Sequence, residues 1–464
     1  MDAKEIAQYE KLVLTPVGPL ISRLAIPTVI SMLTAMIYNL VDAFFVGQIG
    51  TSASAAIGIM VSIQGVFQAI GFMYGHGAGS LISRHLGKGD REAAHRYVST
   101  SFVWAIGTTA LISAAGIVFL DPFMRILGST ETILPYSRIY GFYMLISGPA
   151  LAASCVLNNV MRYEGKAALA MVGLVSGGVI NMVLDPILMF TLGMGIRGAG
   201  LSTAIAEYTS FVILLVMFLS GRTVSRLSLK AVSRRFSTIV DVIRNGIPSL
   251  VRQSLNSLAV MVLNLSAGPY GDAAIAAMTI VGRVSMVIAA VMIGIGQGLQ
   301  PVAAYNYGAE KFRRVQQSVM FTWRLGEAIV LIGAIACFVW AGPIVSFFRD
   351  DPEVARIGIV AMRIQCVGLA LAPITIVMSM VLQSVGKPRE ASVMAMMRNG
   401  LFYIPALLIA PRFLGLLGIQ SAQAIADVIA FVTTAPFVVS FLRQTPNENR
   451  HAPIDDEYTR AKAA

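Results

Sequence analysis

The chain is predicted to be an all-α membrane protein, with twelve transmembrane helices in two six-helix lobes related by a pseudo-two-fold axis along the membrane normal. Three observations predict it. Of 464 residues, 56% are hydrophobic and only 13% charged, whereas a soluble chain carries about 25% charged residues. The apolar residues fall in runs of about 20, the length at which a helix crosses a bilayer. The second half of the chain also repeats the first. The runs are continuously apolar rather than alternating, which argues against a transmembrane β-barrel.

In chain order the predicted spans are 20–46, 53–80, 97–119, 136–160, 167–191, 198–220, 241–267, 274–303, 317–341, 359–384, 390–411 and 416–442. They divide the chain into an N-terminal segment (1–19), a first lobe (20–220), a basic linker (221–240), a second lobe (241–443) and a polar tail (444–464). The tail is polar enough from Thr445 onward to predict disorder. The first apolar run begins near Leu20, after Asp2, Glu5 and Glu10, and is too long for a cleavable signal core.

Net charge is +11, but its distribution excludes a nucleic-acid surface. Arg84, Lys88, Arg91 and Arg96 lie between spans 2 and 3. Arg222, Arg226, Lys230, Arg234, Arg235 and Arg244 lie between spans 6 and 7, and Lys311, Arg313 and Arg314 between spans 8 and 9. The opposite loops, GQIGTS (47–52) and GPYGD (268–272), carry no basic residue. Basic loops on one side mark the cytoplasmic face and place both termini there. Cys155, Cys337 and Cys366 fall in apolar spans and form no metal or disulfide pattern, and His76, His85, His95 and His451 show no ligand spacing.

A shift of 221 residues brings the halves into register. Arg23, Ile26 and Pro27 meet Arg244, Ile247 and Pro248; Gly47 and Gly50 meet Gly268 and Gly271; Gly75 and Gly77 meet Gly296 and Gly298. Near the ends a shift of 220 lays GIRGAGLSTAIAE (195–207) over GLLGIQSAQAIAD (415–427). Six spans per half is an even number, so the repeats are parallel. Parallel repeats are a transporter architecture, with the solute path between or within the halves.

The candidate chemistry sits in the first lobe. Asp42 and Asp185 lie inside the runs IPTVISMLTAMIYNLVDAFFVG and LAMVGLVSGGVINMVLDPILMF. An acid in hydrocarbon costs roughly 2.5–3.5 kcal/mol on insertion scales and normally faces a working cavity. Both acids fall at similar depth, each with a polar residue one turn earlier on the same face: Tyr38 for Asp42 and Asn181 for Asp185. Span 6 brings Ser202, Thr203 and Glu207 to comparable depth, and Pro186 weakens the helix after Asp185. Such a chamber could exchange a proton, or its oxygens (Asp42, Asp185, Asn181) could ligate Na⁺; the residues alone leave both open. Glu207 has Asp427 at its repeat position, as an acid serving the fold would.

In the second lobe Leu263 replaces Asp42 and Ala259 replaces Tyr38. Gln253 and Arg283 are candidates to line a cavity there, and Arg324 and Glu327 form an intrahelical pair. GIGQGLQ (294–300) follows no strand, so it is not a phosphate loop. With no Walker motif, nucleophile elbow or zinc motif, neither an ATP-driven pump nor a membrane-embedded enzyme is expected.

From Leu20 to Arg443 the chain resembles the multidrug and toxic compound extrusion (MATE) transporters. The resemblance rests on IP-x(14)-D-x(4)-G in span 1, NMVLDPILMF in span 5, GIRGAGLSTAIA in span 6, GQGLQPVAAYNYGA after span 8 and IQSAQAIAD in span 12. It implies two lobes around a cleft that opens alternately to each side. It also implies export of organic, often cationic, compounds in exchange for H⁺ or Na⁺, with no other cofactor. Asp42 and Asp185 match the coupling aspartates, with Tyr38, Asn181 and Thr203 as polar neighbours, and Pro27 matches a proline at which span 1 bends. The expected setting is the cytoplasmic membrane of a prokaryote, with the chain acting as a monomer on small-molecule substrates within the lipid bilayer. A lipid or lipid-linked sugar flippase of the same superfamily is the alternative, and a membrane-embedded enzyme or non-transporting receptor is less favoured.

Overall fold

The structure is a computed structural model that describes residues 3–349, 351–443 and 453–463. The first lobe follows a short helix α1 (Ala3–Tyr9). It consists of α2 (Val17–Gly47), α3 (Thr51–Gly87), α4 (Arg91–Val118), the short α5 (Leu120–Ile126), α6 (Leu134–Tyr163), α7 (Ala167–Pro186) and α8 (Ile196–Met217). The second lobe repeats this order: α9 (Phe236–Ala267), α10 (Asp272–Gly308), α11 (Phe312–Val339), the short α12 (Ala341–Phe348), α13 (Pro352–Leu369) with α14 (Ala372–Ser384), α15 (Pro388–Met396) with α16 (Tyr403–Leu414), and α17 (Leu416–Arg443). A final helix α18 spans Pro453–Ala463.

Ten helical stretches among the described residues are long and apolar enough to cross a membrane, and α13 with α14 makes an eleventh, bent by 49°. The remaining predicted span, 241–267, is α9. It is 32 residues long, but Arg244, Asn245, Arg252, Gln253, Asn256 and Asn264 lower its apolarity. Helix α7 stops at Pro186, where the missing N–H breaks the ladder, and a π-helical turn (Ile187–Thr191) completes the span. Helix α2 instead runs unbroken through Pro27. The Thr28 hydroxyl donates to the Leu24 carbonyl at 3.0 Å and the Ser31 hydroxyl to the Pro27 carbonyl at 2.9 Å.

The described part of the tail is not disordered. Helix α18 buries Ile454 and stacks Tyr458 on Tyr9 with ring centroids 4.5 Å apart. Asp455 accepts from Lys311 at 2.6 Å and Tyr458 donates to Glu10 at 2.9 Å. Ile454 and Tyr458 are one turn apart, so a polar sequence still presents one face with something to bury. Both termini and the linker therefore gather at one end of the bundle, here the terminal end. Glu164, at the close of α6, fastens the linker there by accepting from the Val224 and Ser225 amides at 2.7 and 2.9 Å.

Among the described residues, the closest backbone approaches between the lobes lie in the terminal-end halves of their central helices. A Cβ on Gly77 (α3) would strike the Val242 carbonyl of α9, and one on Gly246 (α9) would strike the Met73 carbonyl of α3. On the pseudo-symmetric side, a Cβ on Gly298 (α10) would fall 2.8 Å from Ala25 of α2, and one on Gly294 2.6 Å from Val29. Gly87 and Gly308, equivalent under the repeat, face the carbonyls of Tyr305 and Arg84. Toward the far end the same helices part. Gly58 and Gly65 of α3 and Gly282 of α10 would meet nothing within 4 Å, and Ser62, Asn256, Ser257, Thr279 and Arg283 are exposed. The space between them is a cleft closed at the terminal end.

Glycine is required wherever backbones approach this closely. Gly77→Ala and Gly246→Ala are each expected to destabilise the folded chain by about 1–3 kcal/mol through overpacking. Gly58→Ala and Gly65→Ala should be neutral or slightly stabilising. Thermal unfolding of the four purified variants in one detergent checks this contrast.

Candidate functional site in the first lobe

Three helices place the predicted residues in one polar chamber. The last turn of α7 carries Asn181 and Asp185, the first turns of α8 carry Ser202 and Thr203, and the outer part of α2 carries Asp42. Asp185, Ser202 and Asn181 are buried, at 0%, 0% and 2% exposure, and Thr203 at 6%. The Ser202 hydroxyl donates to Asp185 Oδ1, and Asn181 Nδ2 donates to the same oxygen at 3.3 Å. Asn181 Nδ2 also lies 3.4 Å from each of the Ser202 and Thr203 hydroxyls. Asp42 is within electrostatic reach of Asp185.

The hydrogen bond to Asp42 comes from a residue that the sequence did not single out. Tyr140 of α6 donates to Asp42 Oδ2 at 3.3 Å and is itself buried. Tyr38, the expected partner one turn earlier, packs instead on Gly178, where a Cβ would come within 3.2 Å of its ring. There it stands within electrostatic reach of both Glu207 and Asp42. Glu207 thus sits one helical turn beyond Thr203, beside Tyr38 and Cys155, adjacent to the aspartate pair rather than part of it. No arginine or lysine among the described residues pairs with Asp42, Asp185 or Glu207.

The chamber leaves three acceptors without a donor: Asp42 Oδ1, Asn181 Oδ1 and Asp185 Oδ2 are buried and unbonded. A buried oxygen with no donor is costly, and three converging on two carboxylates suit a proton or a hard cation, which prefers oxygen ligands. Asn181 and the two aspartates would hold Na⁺, with the Ser202 and Thr203 hydroxyls beside them. Among the described residues no group of three His, Cys, Asp or Glu could hold a transition metal.

The second lobe shows how an acid is managed when it serves only the fold. Asp427, at the repeat position of Glu207, accepts from Arg398 Nε at 2.7 Å and from Gln423 at 3.1 Å. The first-lobe residue equivalent to Arg398 is Gly178, so the duplicated scaffold keeps the acid in both lobes and the counter-ion in one. Of the two second-lobe candidates, Gln253 donates to Gln68 of α3 at 3.3 Å, where the lobes meet, and Arg283 is exposed.

Fold and site together describe a membrane transporter built from two parallel six-helix repeats. The MatE family model matches the chain twice, over residues 27–187 and 248–409, and the two matches begin 221 residues apart. The chain belongs to this family and is a MATE-family, multi-pass membrane transporter rather than an enzyme. It is 26% identical over 444 residues to the multidrug export protein MepA of Staphylococcus aureus (strain MSSA476), covering 96% of this chain and 97% of that one. It is 27% identical over 436 residues to MepA of Staphylococcus haemolyticus (strain JCSC1435), covering 93% and 95%. Among solved structures it superposes with a TM-score of 0.87 on a point mutant of the Vibrio cholerae MATE transporter VcmN, at 24% identity over 93% of this chain and 98% of that one. A MATE transporter in its outward-facing conformation gives 0.85, at 24% identity over 95% and 99%.

Arg398→Met is expected to strand the Asp427 carboxylate in a buried site and to cost about 3–5 kcal/mol. Adding Asp427→Asn to the same chain should recover most of that loss. Thermal unfolding of the single and double variants measures the coupling. Glu207→Gln, with no counter-ion to strand, should leave the unfolding midpoint nearly unchanged.

Proposed function

We propose that the chain exports drug-like organic compounds across the cytoplasmic membrane of a prokaryote in exchange for H⁺ or Na⁺, by alternating exposure of the inter-lobe cleft. The observation that carries this reading is the pair Asp42–Asp185, within electrostatic reach of each other, with three buried and unbonded acceptor oxygens and no basic counter-ion among the described residues. Such a site is incomplete without an exchangeable cation. The export function named for the staphylococcal relatives, which align with this chain along nearly their whole length, supports the direction of transport. The basic linker lies at the end where the lobes are sealed, which supports a cytoplasmic position for that end and an outward-opening cleft. Each chain contains a complete pair of lobes, which supports a monomer as the working unit.

In this reading the cation enters from the outer side and neutralises the pair. Tyr140 and Ser202, which now donate to ionised oxygens, then lose part of their attraction, and α2 repacks against α7 and α8. That rearrangement lowers the affinity of the open cleft for substrate. The lobes then close at the far end, part at the glycine seal, and release the cation inside. One charge moving through about 100 mV supplies roughly 2.3 kcal/mol, enough for useful accumulation.

Energised vesicles carrying Asp42→Asn or Asp185→Asn should lose at least about tenfold in gradient-driven export, the scale at which a differential ion interaction of 1.4 kcal/mol acts. Tyr140→Phe should give a smaller loss. Collapsing the pH gradient and the sodium gradient separately identifies the ion. Undiminished export by both asparagine variants would remove the coupling assignment.

A further inference from the structure

In the first lobe Asp185 is buried while Asp42 and Glu207 are half-buried, and in the second Asp427 is bound by Arg398. Where the lobes meet, two arginines stand without a carboxylate partner among the described residues. Arg162, at the end of α6, is 4% exposed and reaches across the lobe boundary to Gln297 of α10. It also donates to Asn159 and, at 3.2 Å, to the His76 ring. Every one of these partners is neutral, no carboxylate is in contact, and Nε has no partner at all. Arg252 of α9 comes from the opposite lobe to the same place. It stands within electrostatic reach of Arg162, His76 and Tyr163, and no described residue hydrogen-bonds to it. Two guanidiniums from two lobes therefore crowd the closed end of the cleft with no negative charge between them.

Arg283 extends this electropositive lining outward. It lies eighteen residues before Pro301 on α10, which is five turns of about 3.6 residues. Pro301 accepts from Ser83 of the first lobe at 3.4 Å. The stripe of α10 that seals the closed end, including Gly294 and Gly308, therefore continues through Arg283, which faces the other lobe across the cleft. Arg283 is exposed and has no partner among the described residues.

A cation with no counter-charge at a membrane-embedded site needs water or an anion to satisfy it. We propose that the cleft floor is an anion subsite, in which Arg252, backed by Arg162, receives the carboxylate, sulfonate or phosphate group of an amphipathic substrate, with Arg283 as the outer contact. This rests on the transport reading above and refines its substrate class. It departs from the cationic class that the family resemblance implies, because a cation reaching the floor of the cleft meets the like charge of Arg252 and Arg162. It also alters the energetics, since an interior-negative potential drives an anion outward and opposes export of a cation.

The test uses the full chain in phosphatidylcholine nanodiscs and two dansyl amphipaths with the same linker, one ending in a sulfonate and one in a trimethylammonium. Fluorescence anisotropy should show the sulfonate binding at least about tenfold more tightly. Arg252→Gln should remove that preference, Arg252→Lys should retain most of it, and Arg283→Gln should weaken it less than Arg252→Gln does. Tighter binding of the trimethylammonium probe, or unchanged sulfonate binding in both glutamine variants, would overturn the proposal. So would displacement of the sulfonate probe by an added acidic phospholipid, which would assign the floor to a lipid headgroup. Sulfonate binding without gradient-driven export from vesicles would leave the subsite standing and remove the transport reading. Export of the trimethylammonium probe alone would do the reverse.

Discussion

Close backbone approach at the glycines of α3, α9 and α10, the last of which packs on α2, is the constraint on which the rest of the molecule depends. Within a membrane, apolar side chains gain little by leaving lipid for one another, so two lobes adhere where small residues let backbones touch. Among the described residues this close approach lies in the terminal-end halves of α2, α3, α9 and α10. Polar bonds cross the boundary in the same region, from Arg84 to Asn245 at 3.0 Å, Tyr163 to Ser384 at 3.4 Å and Arg162 to Gln297, and Gln253 bonds Gln68 at mid-helix. The far-end halves carry glycines too, but none of them is packed. One pair of helices in each lobe is thus both hinge and wall, and the cleft is what remains where its contact ends.

Duplication explains why the seal is reciprocal and why the chemistry is not. Gly87 and Gly308 contact each other's helices because they are copies related by the pseudo-two-fold axis. The acids diverged after that symmetry was in place. Leu263 and Pro405 occupy the positions of Asp42 and Asp185, and Arg398 occupies that of Gly178. The second lobe therefore spends its one retained acid, Asp427, on an internal ion pair. The first keeps its acids without a basic counter-ion among the described residues.

Much of this was legible in the sequence, for identifiable reasons. An aspartate in an apolar run announces itself by the energy that it costs, and an i, i+4 neighbour on a helix is fixed by geometry, so Asp42, Asp185 and Asn181 were found together. Thr203 followed once the repeat set the direction of span 6. Tyr140 could not be found in this way: it lies between Tyr136 and Tyr143 on one helix, and only the packing of α6 against α2 selects it. Arg162 lies two residues beyond the predicted end of its span, where a basic residue ordinarily marks a solvated flank. Its burial depends on a contact between lobes 135 residues apart in sequence. The break at Ala370–Leu371 and the docking of α18 likewise arise from tertiary contacts that no local pattern encodes.

The two charged regions differ in sign and are near neighbours, since Cys155 stands within electrostatic reach of both Glu207 and Arg162. In the proposed cycle the aspartate chamber takes the cation and the arginines at the lobe boundary face the substrate. Because α2 carries Asp42 and also packs on α10 through Ala25 and Val29, a change in its packing alters the first lobe and the seal together. No direct contact between ion and substrate is then required. On the proposed cycle, competition arises because the ion-bound chamber and the substrate-bound cleft favour different positions of one helix, which is coupling through a shared two-state element. Exchange on that proposal takes its obligatory character from the position of α2.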